Sequence, residues 1–299
     1  MFFRAVLLHC TKVGWWGHGR TMETLDTLDS MADNETEACL DKNTILLNTI
    51  SDTYNQVMVG LRDPRADGWF LMSSIWPTIA LSTTYYVIVR HAGPKLMENR
   101  EPYNLKYVML AYNLFQTVFN TWLFYKVWWL WRDHYSWTCQ PVDYSNSDLG
   151  LAALDVTWWY FFSKFIDFFD SFFFVLRKKF SHLSTLHVVH HGGLPIAVWF
   201  GPRFVGGGHT TFCGFLNCAV HVAMYLYYFL AALGPRVLPY LWWKRYLTKL
   251  QMIQFIIFFI HAMQPLFIEC DYPKVNIQSD FLNYFLVHCK GCLEETDKN

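Results

Sequence analysis

Residues 149–176 read LGLAALDVTWWYFFSKFIDFFDSFFFVL, an almost continuous apolar stretch that decides the fold. A helix needs about 20 predominantly apolar residues to cross the hydrocarbon of a bilayer, and this stretch is longer than that. Hydrocarbon offers no hydrogen-bond partners, so a spanning segment has to pair its backbone groups internally, as a helix does. We therefore predict a membrane-spanning helix here.

Five further apolar stretches are long enough to cross a membrane. They lie at about residues 69–89, 107–131, 184–200, 210–233 and 246–268. The chain of 299 residues is 53% hydrophobic and 19% aromatic, which is more than a soluble core requires. These features predict an all-α, polytopic membrane helical bundle surrounded by membrane lipid. The net charge is zero, so charge gives no reason to expect a nucleic-acid partner.

The loops between the spans differ in charge. Basic residues concentrate in alternate loops, as they do on the cytosolic side of membrane proteins: Arg90, Lys95, Arg100, Lys106, Arg177, Lys178, Lys179, Arg236, Lys244, Arg245 and Lys249. The acidic segment before residue 62 and the loops that contain Cys139 and Cys270 then lie on the lumenal side. Both cysteines would meet an oxidising compartment, which makes a Cys139–Cys270 disulfide feasible.

Lys164, Asp167 and Asp170 form a polar face within the apolar stretch at residues 149–176. They recur every three residues, so they share one broad side of a helix. Ionisable groups inside a membrane cost free energy and normally face the interior of the bundle. This face indicates an internal salt bridge between helices, part of a functional site, or both.

Two neighbouring spans carry a second polar face. His187, His190 and His191 follow the i, i+3, i+4 pattern, so the three imidazoles project from one side of a helix. We expect them to face a stripe on the next span, formed by Asn217, His221, Met224, Tyr225 and Tyr228. The polar residues of the last span fit interhelical hydrogen bonding as well as they fit substrate contact: Thr248, Gln251, Gln254 and His261.

Histidine clusters inside a membrane suggest iron chemistry or acyl chemistry. A di-iron desaturase or hydroxylase needs about eight imidazole ligands in several clustered boxes. The chain has 12 histidines and only one clustered box, at residues 187–191. Acyl transfer needs a nucleophile, a proton-transfer partner and oxyanion stabilisation, and imidazole serves in the first two roles. We therefore expect acyl chemistry and no metal site, with the di-iron lipid enzyme as the alternative.

Four motifs occur in the order and spacing of a known family. They are KFIDFFDSFFFVLRKK (164–179), HVVHH (187–191), NCAVHVAMYLYY (217–228) and TKLQMIQ (248–254). Together with flanking runs such as LMENREPYNL (96–105), they resemble the very-long-chain fatty acid elongase (ELO) family of the endoplasmic reticulum. The resemblance covers about residues 63–274. It departs at Asp167, where the family usually has Glu, and at Ser171, where it usually has Thr.

The resemblance implies an acyltransferase, a 3-oxoacyl-CoA synthase that condenses a long-chain acyl-CoA with malonyl-CoA. It implies seven spans, of which spans two to seven surround an acyl tunnel, in a multi-pass protein of the endoplasmic reticulum membrane. It makes His190 the acyl acceptor, places His221 beside it, and gives His187 and His191 a part in malonyl-CoA binding or decarboxylation. The CoA thioesters are substrates, and no other cofactor is implied.

Substrate contacts would come from the other residues that these motifs single out: Lys164, Asp167, Asp170, Asn217, Met224, Tyr225, Tyr228, Gln251 and Gln254. The other enzymes of the elongation cycle and a second copy of the chain are the partners that such an enzyme would have.

The sequence predicts three regions. Residues 1–62 form a polar, mostly disordered lumenal tail, residues 63–274 form the membrane elongase domain, and residues 275–299 form an atypical short C-terminal segment. The family's seventh span would fall in the last region, but only about eight apolar-rich residues occur there, too few to cross a membrane. We therefore expect a truncated seventh span, and a non-catalytic subunit of an elongase complex becomes an alternative function.

Overall fold

A computed structural model of the chain describes residues 44–45 and 47–273. The chain divides into two compact units, Met1–Arg62 and Asp63–Asn299. In the first unit, residues 44–45 and 47–55 are α-helical, and a π-helical turn follows at Gln56–Gly60. These residues do not test whether the tail is mostly disordered, and that expectation stays a prediction. The earlier part of the predicted tail lies outside the described residues.

The second unit consists of α-helices joined by loops. In chain order they are α1 (Trp76–Val87), α2 (Gly93–Met97), α3 (Lys106–Asp133), α4 (Asp148–Ile166), α5 (Phe168–Leu176), α6 (Thr185–Phe204), α7 (Thr211–Leu233) and α8 (Lys244–Phe267). A π-helical turn at Ile88–Ala92 joins α1 to α2. The part of the chain that the structure describes contains no β-strand, so the predicted all-α class is confirmed there.

Each of the six predicted spans corresponds to helix, with two differences. Helix α1 begins at Trp76 rather than at residue 69, because the residues before Pro77 form hydrogen-bonded turns instead. The third predicted span is divided into α4 and α5 by a single turn residue, Asp167, whose backbone keeps helical dihedral angles (φ −61°, ψ −16°). By length and apolar composition alone, α7 and α8 meet the requirement for crossing a membrane.

The predicted seven-span arrangement around a tunnel is not established by these helices and stays a prediction. The predicted truncation of the seventh span falls on residues 275–299, which lie outside the described part of the chain.

Helices α3 and α7 pack against each other in antiparallel directions. Trp131, near the end of α3, donates from Nε1 to Thr211 Oγ1 at the start of α7 (3.0 Å). Tyr112, near the start of α3, contacts Tyr225 of α7 with ring centroids 6.0 Å apart. Apolar side chains of α3, α4 and α7 form a core cluster: Leu123, Val127, Leu130, Trp131, Ala153, Val156, Phe212 and Cys218. Helix α4 also packs against α6, and α6 packs against α1.

Large apolar side chains cover the outward faces of these helices. Tyr107 and Tyr125 of α3 and Ile260 of α8 are among the most exposed. Such a surface is unfavourable in water and suits contact with lipid. On the same surface Lys126 and Asp155 join α3 to α4 by an ion pair that we did not anticipate from the sequence.

A separate cluster lies at the predicted lumenal end of the helices. Cys139, after α3, is disulfide-bonded to Cys270, after α8. His209, in the loop before α7, stacks on His261 with ring centroids 4.0 Å apart, and His209 Nε2 lies 2.8 Å from the His261 carbonyl oxygen. His261, which we grouped with the polar residues of the last span, therefore packs here, among Trp131 and His209.

Candidate active site

The polar residues predicted from the motifs come from five helices, α4 to α8. Asp167 lies at the junction of α4 and α5, where the carboxylate is 2% exposed. The first turn of α6 presents His187, and Ser184 caps this helix by accepting a hydrogen bond from the His187 amide (3.2 Å). The end of α4 thus carries a carboxylate, and the capped start of α6 carries the histidine box.

Asp167 is held by side chains from three helices. Its Oδ2 accepts from Lys164 Nζ (3.2 Å), and its Oδ1 accepts from Gln116 Nε2 (2.9 Å). The Tyr225 hydroxyl donates to Asp170 Oδ2 (2.6 Å) and lies 3.2 Å from Asp167 Oδ1. The Lys164–Asp167 salt bridge joins residues three apart in the same segment, so it does not by itself link two helices. Tyr225 connects the two carboxylates to α7.

Asn217 joins this network from α7. Its Oδ1 accepts from both Lys164 Nζ and the Tyr160 hydroxyl, each at 3.1 Å. The Lys164 ammonium also lies over the ring of Tyr160, 4.6 Å from its centroid. Because the amide oxygen is occupied by two donors, the Nδ2 group of Asn217 is left to donate to another acceptor.

The three histidines of α6 lie together. The rings of His187 and His191 are 4.4 Å apart between centroids, and those of His190 and His191 are 5.4 Å apart. His187 Nε2 lies 2.8 Å from Ser171 Oγ of α5. The helical spacing therefore places all three imidazoles on one side, and Ser171 connects that side to the helix that carries Asp170.

His221 of α7 contacts Tyr225, with ring centroids 5.6 Å apart. Its Nδ1 atom is buried and has no hydrogen-bond partner among the described residues. A buried imidazole nitrogen without a partner loses free energy unless a ligand or water completes its hydrogen bonding. His221 thus offers an unused polar atom beside the carboxylate network.

The remaining predicted residues lie around this centre. Gln251 Nε2 of α8 lies 3.8 Å from Met224 Sδ of α7. Gln254 is buried, and its Oε1 has no partner in the described part of the chain. Tyr228 is 43% exposed and touches Tyr225 at 6.5 Å between centroids, so it lies at the edge of the group.

Sequence reasoning missed Gln116, Tyr112 and Tyr85, each of which supports the network. The sequence offered a signal for Gln116, because it shares a polar stripe with Asn113 and Asn120 in the same apolar span, and all three side chains are buried in the structure. The Tyr112 hydroxyl accepts from Gln116 Nε2 (3.1 Å) and donates to a backbone carbonyl. Nothing distinguished these tyrosines from the many other aromatic residues of the spans.

The part of the chain that the structure describes contains no group of three His, Cys, Asp or Glu side chains arranged to hold a metal ion. The geometry of the donors therefore does not favour the di-iron alternative.

Comparison with known proteins shows which family the chain resembles. Residues 70–289 match the family described as ELO: GNS1/SUR4. The chain belongs to the ELO family. Over 229 residues it is 53% identical to a very long chain fatty acid elongase of Aedes aegypti. The aligned residues make up 76% of this chain and 64% of the mosquito protein. Membership of the ELO family, together with the apolar helices, supports membrane character, and the names of the relatives link the family to fatty acid elongation and lipid metabolism.

Other relatives in the ELO family give the same picture. Very long chain fatty acid elongase 7 of Drosophila melanogaster is 50% identical over 229 residues, or 76% of this chain and 70% of the fly protein. Very long chain fatty acid elongase 7 of Rattus norvegicus is 47% identical over 212 residues, or 70% of this chain and 75% of the rat protein. The chain thus matches less than two thirds of the mosquito protein's length and somewhat more of the other two.

Proposed function

We propose that this protein is a condensing enzyme of fatty acid elongation, a 3-oxoacyl-CoA synthase. It would join a long-chain acyl-CoA to malonyl-CoA and release CO2 and CoA. The observation that carries the proposal is the grouping of His187, His190 and His191 on α6 beside Ser171 and the network around Asp167. The names of the relatives, all very long chain fatty acid elongases, support the same chemistry.

The first half-reaction is acyl transfer to a histidine. A neutral nitrogen of His190 attacks the thioester carbonyl, the carbon–sulfur bond breaks, and CoA leaves as a thiol after taking up the proton that the imidazole gives away. The product is an acyl-imidazole, a reactive acyl donor. A site lined by apolar helices favours this intermediate because it limits hydrolysis.

The second half-reaction forms the new carbon–carbon bond. Malonyl-CoA loses CO2, and the electron pair left behind forms an enolate. The enolate carbon attacks the acyl carbonyl and expels the histidine nitrogen, which takes up a proton from solvent and becomes the neutral imidazole again. Negative charge develops on the enolate oxygen, which needs donors aimed at it. Asn217 is suited to this role, because its Oδ1 is held by Lys164 and Tyr160 and its Nδ2 group remains to donate.

The other residues would divide the remaining work. His221, with its unpartnered Nδ1, would stand beside the acyl acceptor, and His187 and His191 would bind or decarboxylate malonyl-CoA. Asp167 and Asp170 would hold Lys164 and Tyr225 in place. The enzyme would be a multi-pass protein of the endoplasmic reticulum membrane, and reducing and dehydrating enzymes would have to consume its 3-oxoacyl product.

The test is malonyl-CoA-dependent extension of acyl-CoA by the full chain, purified in detergent or assayed in microsomes. The His190→Ala variant should extend nothing, whereas the exposed His91→Ala variant should extend at the wild-type rate. Incubation with acyl-CoA alone should leave an acyl group on a peptide that contains His190. Extension by His190→Ala at the wild-type rate would overturn the mechanism.

The same preparation tests the alternatives. A non-catalytic subunit would extend nothing by itself and would co-purify with another, active elongase. A di-iron enzyme would carry two irons per chain on metal analysis and would extend no acyl-CoA.

A further inference from the structure

Tyr85 of α1 contacts the helices that carry the candidate site. Its side chain is 1% exposed, and its ring stacks on Phe168 of α5 with centroids 4.2 Å apart. A Cβ atom at Gly192 of α6 would lie 3.4 Å from the ring, so the ring lies against the backbone just after the histidine box. Tyr85 therefore packs against α5 and α6 at once.

A chain of two hydrogen bonds runs from this tyrosine to a histidine of the box. The Tyr85 hydroxyl lies 2.8 Å from Ser171 Oγ, and Ser171 Oγ lies 2.8 Å from His187 Nε2. Ser171 is fully buried. The proposed function uses His187 but assigns no role to Tyr85 or Ser171.

The direction of these bonds follows from what each group has to donate. Among the described residues the Tyr85 hydroxyl has no hydrogen-bond partner except Ser171, and a buried O–H group that does not donate is unfavourable. Tyr85 therefore donates to Ser171. The single proton of the Ser171 hydroxyl then goes to the other neighbour, His187 Nε2, which accepts it.

We infer that Tyr85 and Ser171 are positioning residues that hold His187 as the neutral tautomer with its proton on Nδ1. An imidazole in this state donates through Nδ1, while its Nε2 lone pair is occupied by Ser171. With Nε2 engaged by Ser171, His187 would not act as a base through Nε2. The catalytic part of this inference rests on the proposed function.

The experiment combines kinetics with nitrogen NMR on the full chain in detergent. The variants are Tyr85→Phe and Ser171→Ala, which break the chain of bonds, and Ser171→Thr, which keeps a hydroxyl. Tyr86→Phe is the matched control, because Tyr86 follows Tyr85 in the sequence and its own side chain is 45% exposed. Loss of one hydrogen bond corresponds to a drop in kcat of up to about tenfold, with KM for the acyl-CoA unchanged.

NMR of protein with 15N-labelled histidine reads the tautomer directly, and the His187 signals are those that vanish in a His187→Gln sample. We expect Nδ1 to carry the proton in the wild type and in Ser171→Thr, and the two tautomers to mix in Tyr85→Phe and Ser171→Ala. Ser171→Thr should restore kcat.

Two results would overturn the inference. One is a protonated Nε2 on His187 in the wild type. The other is Tyr85→Phe and Ser171→Ala variants that keep the wild-type kcat per folded molecule and lose only thermal stability, which would make both residues purely structural. If the wild type extends no acyl-CoA, the proposed function fails, and the NMR result still decides the tautomer.

Discussion

Lys164 and Asp167 are opposite charges in the protein interior, with exposures of 1% and 2%. Removing one partner of a buried pair leaves an uncompensated charge, which costs about 3–5 kcal/mol. We therefore predict that Asp167→Asn lowers the free energy of unfolding by that amount, as measured by thermal unfolding in detergent. The loss should come with loss of extension, because Lys164 also holds Asn217.

The control for this prediction is the pair Arg132–Asp133, which is solvent-exposed. Exposed ion pairs contribute little to stability, so Asp133→Asn should leave the unfolding transition in place. If Asp167→Asn and Asp133→Asn lowered the free energy of unfolding equally, burial would not be what makes the Lys164–Asp167 pair important for stability.

His209 makes the end of the molecule that holds the disulfide sensitive to acid. Burial lowers the pKa of His209 from its ordinary value of 6.5, because the charged imidazole loses its hydration. The unfolded chain then binds a proton more readily than the folded one, so stability is complete above about pH 6.5 and falls as the pH drops below it. The measurement is the thermal unfolding midpoint between pH 7.5 and pH 5.5.

The groups that contact His209 bear on this prediction: His261, Trp131 and Tyr272. None of them is an acid that would favour the charged form of His209. His209→Gln should flatten the pH dependence, whereas His134→Gln, at an exposed histidine, should leave it unchanged. A pH dependence that survives in His209→Gln would assign the effect to another group.

At the scale of the element, helix α6 depends on its first turn. Ser184 accepts a hydrogen bond from the His187 amide, and the loss of such a cap costs about 1 kcal/mol. We predict that Ser184→Ala destabilises the start of α6 and lowers the extension rate severalfold, because His187 lies in the turn that loosens. Extension per folded molecule is the quantity to measure.

Ser147 provides the matched control. It caps α4 in the same way, by accepting from the Gly150 amide (3.0 Å), at a helix start that carries none of the histidines. Ser147→Ala should therefore cost similar stability and leave the extension rate per folded molecule unchanged. If both caps changed the rate equally, the effect would be one of global stability.

The positions of the helices could be predicted because apolar length is a local property of sequence. The predicted span 107–131 corresponds to Lys106–Asp133, and the predicted span 246–268 corresponds to Lys244–Phe267. The turn residue at Asp167 could not be predicted, because residues spaced by three fit an uninterrupted helix equally well. The side-chain partners of Asp167 could not be predicted either, because Gln116 and Tyr225 lie far away in the sequence.

The candidate site shows the same limit. The i, i+3, i+4 pattern was enough to group His187, His190 and His191, because helix geometry alone puts them on one side. Tyr85 could not be found that way, since its role depends on the packing of α1 against α5 and α6. Partners separated by 86 residues, as Tyr85 and Ser171 are, come together only through tertiary structure.

At the scale of the whole second unit, the chemistry and the cross-link lie at different places. The histidine box begins α6, whereas the Cys139–Cys270 bond joins the loop after α3 to the segment after α8. The bond closes a loop with a sequence separation of 131 residues. Its main effect should therefore be on stability, because a cross-link restricts the unfolded chain.

We predict that Cys139→Ser lowers the free energy of unfolding by about 2–4 kcal/mol, with extension at low temperature retained. Cys270→Ser and the double variant should show the same loss, since each of the three changes removes the same bond. The measurement is thermal unfolding of wild type and variants, with Cys213→Ser as the control at a free cysteine. Losses that add in the double variant would mean that the two cysteines stabilise the fold separately, and the cross-link would then not be what joins these two segments.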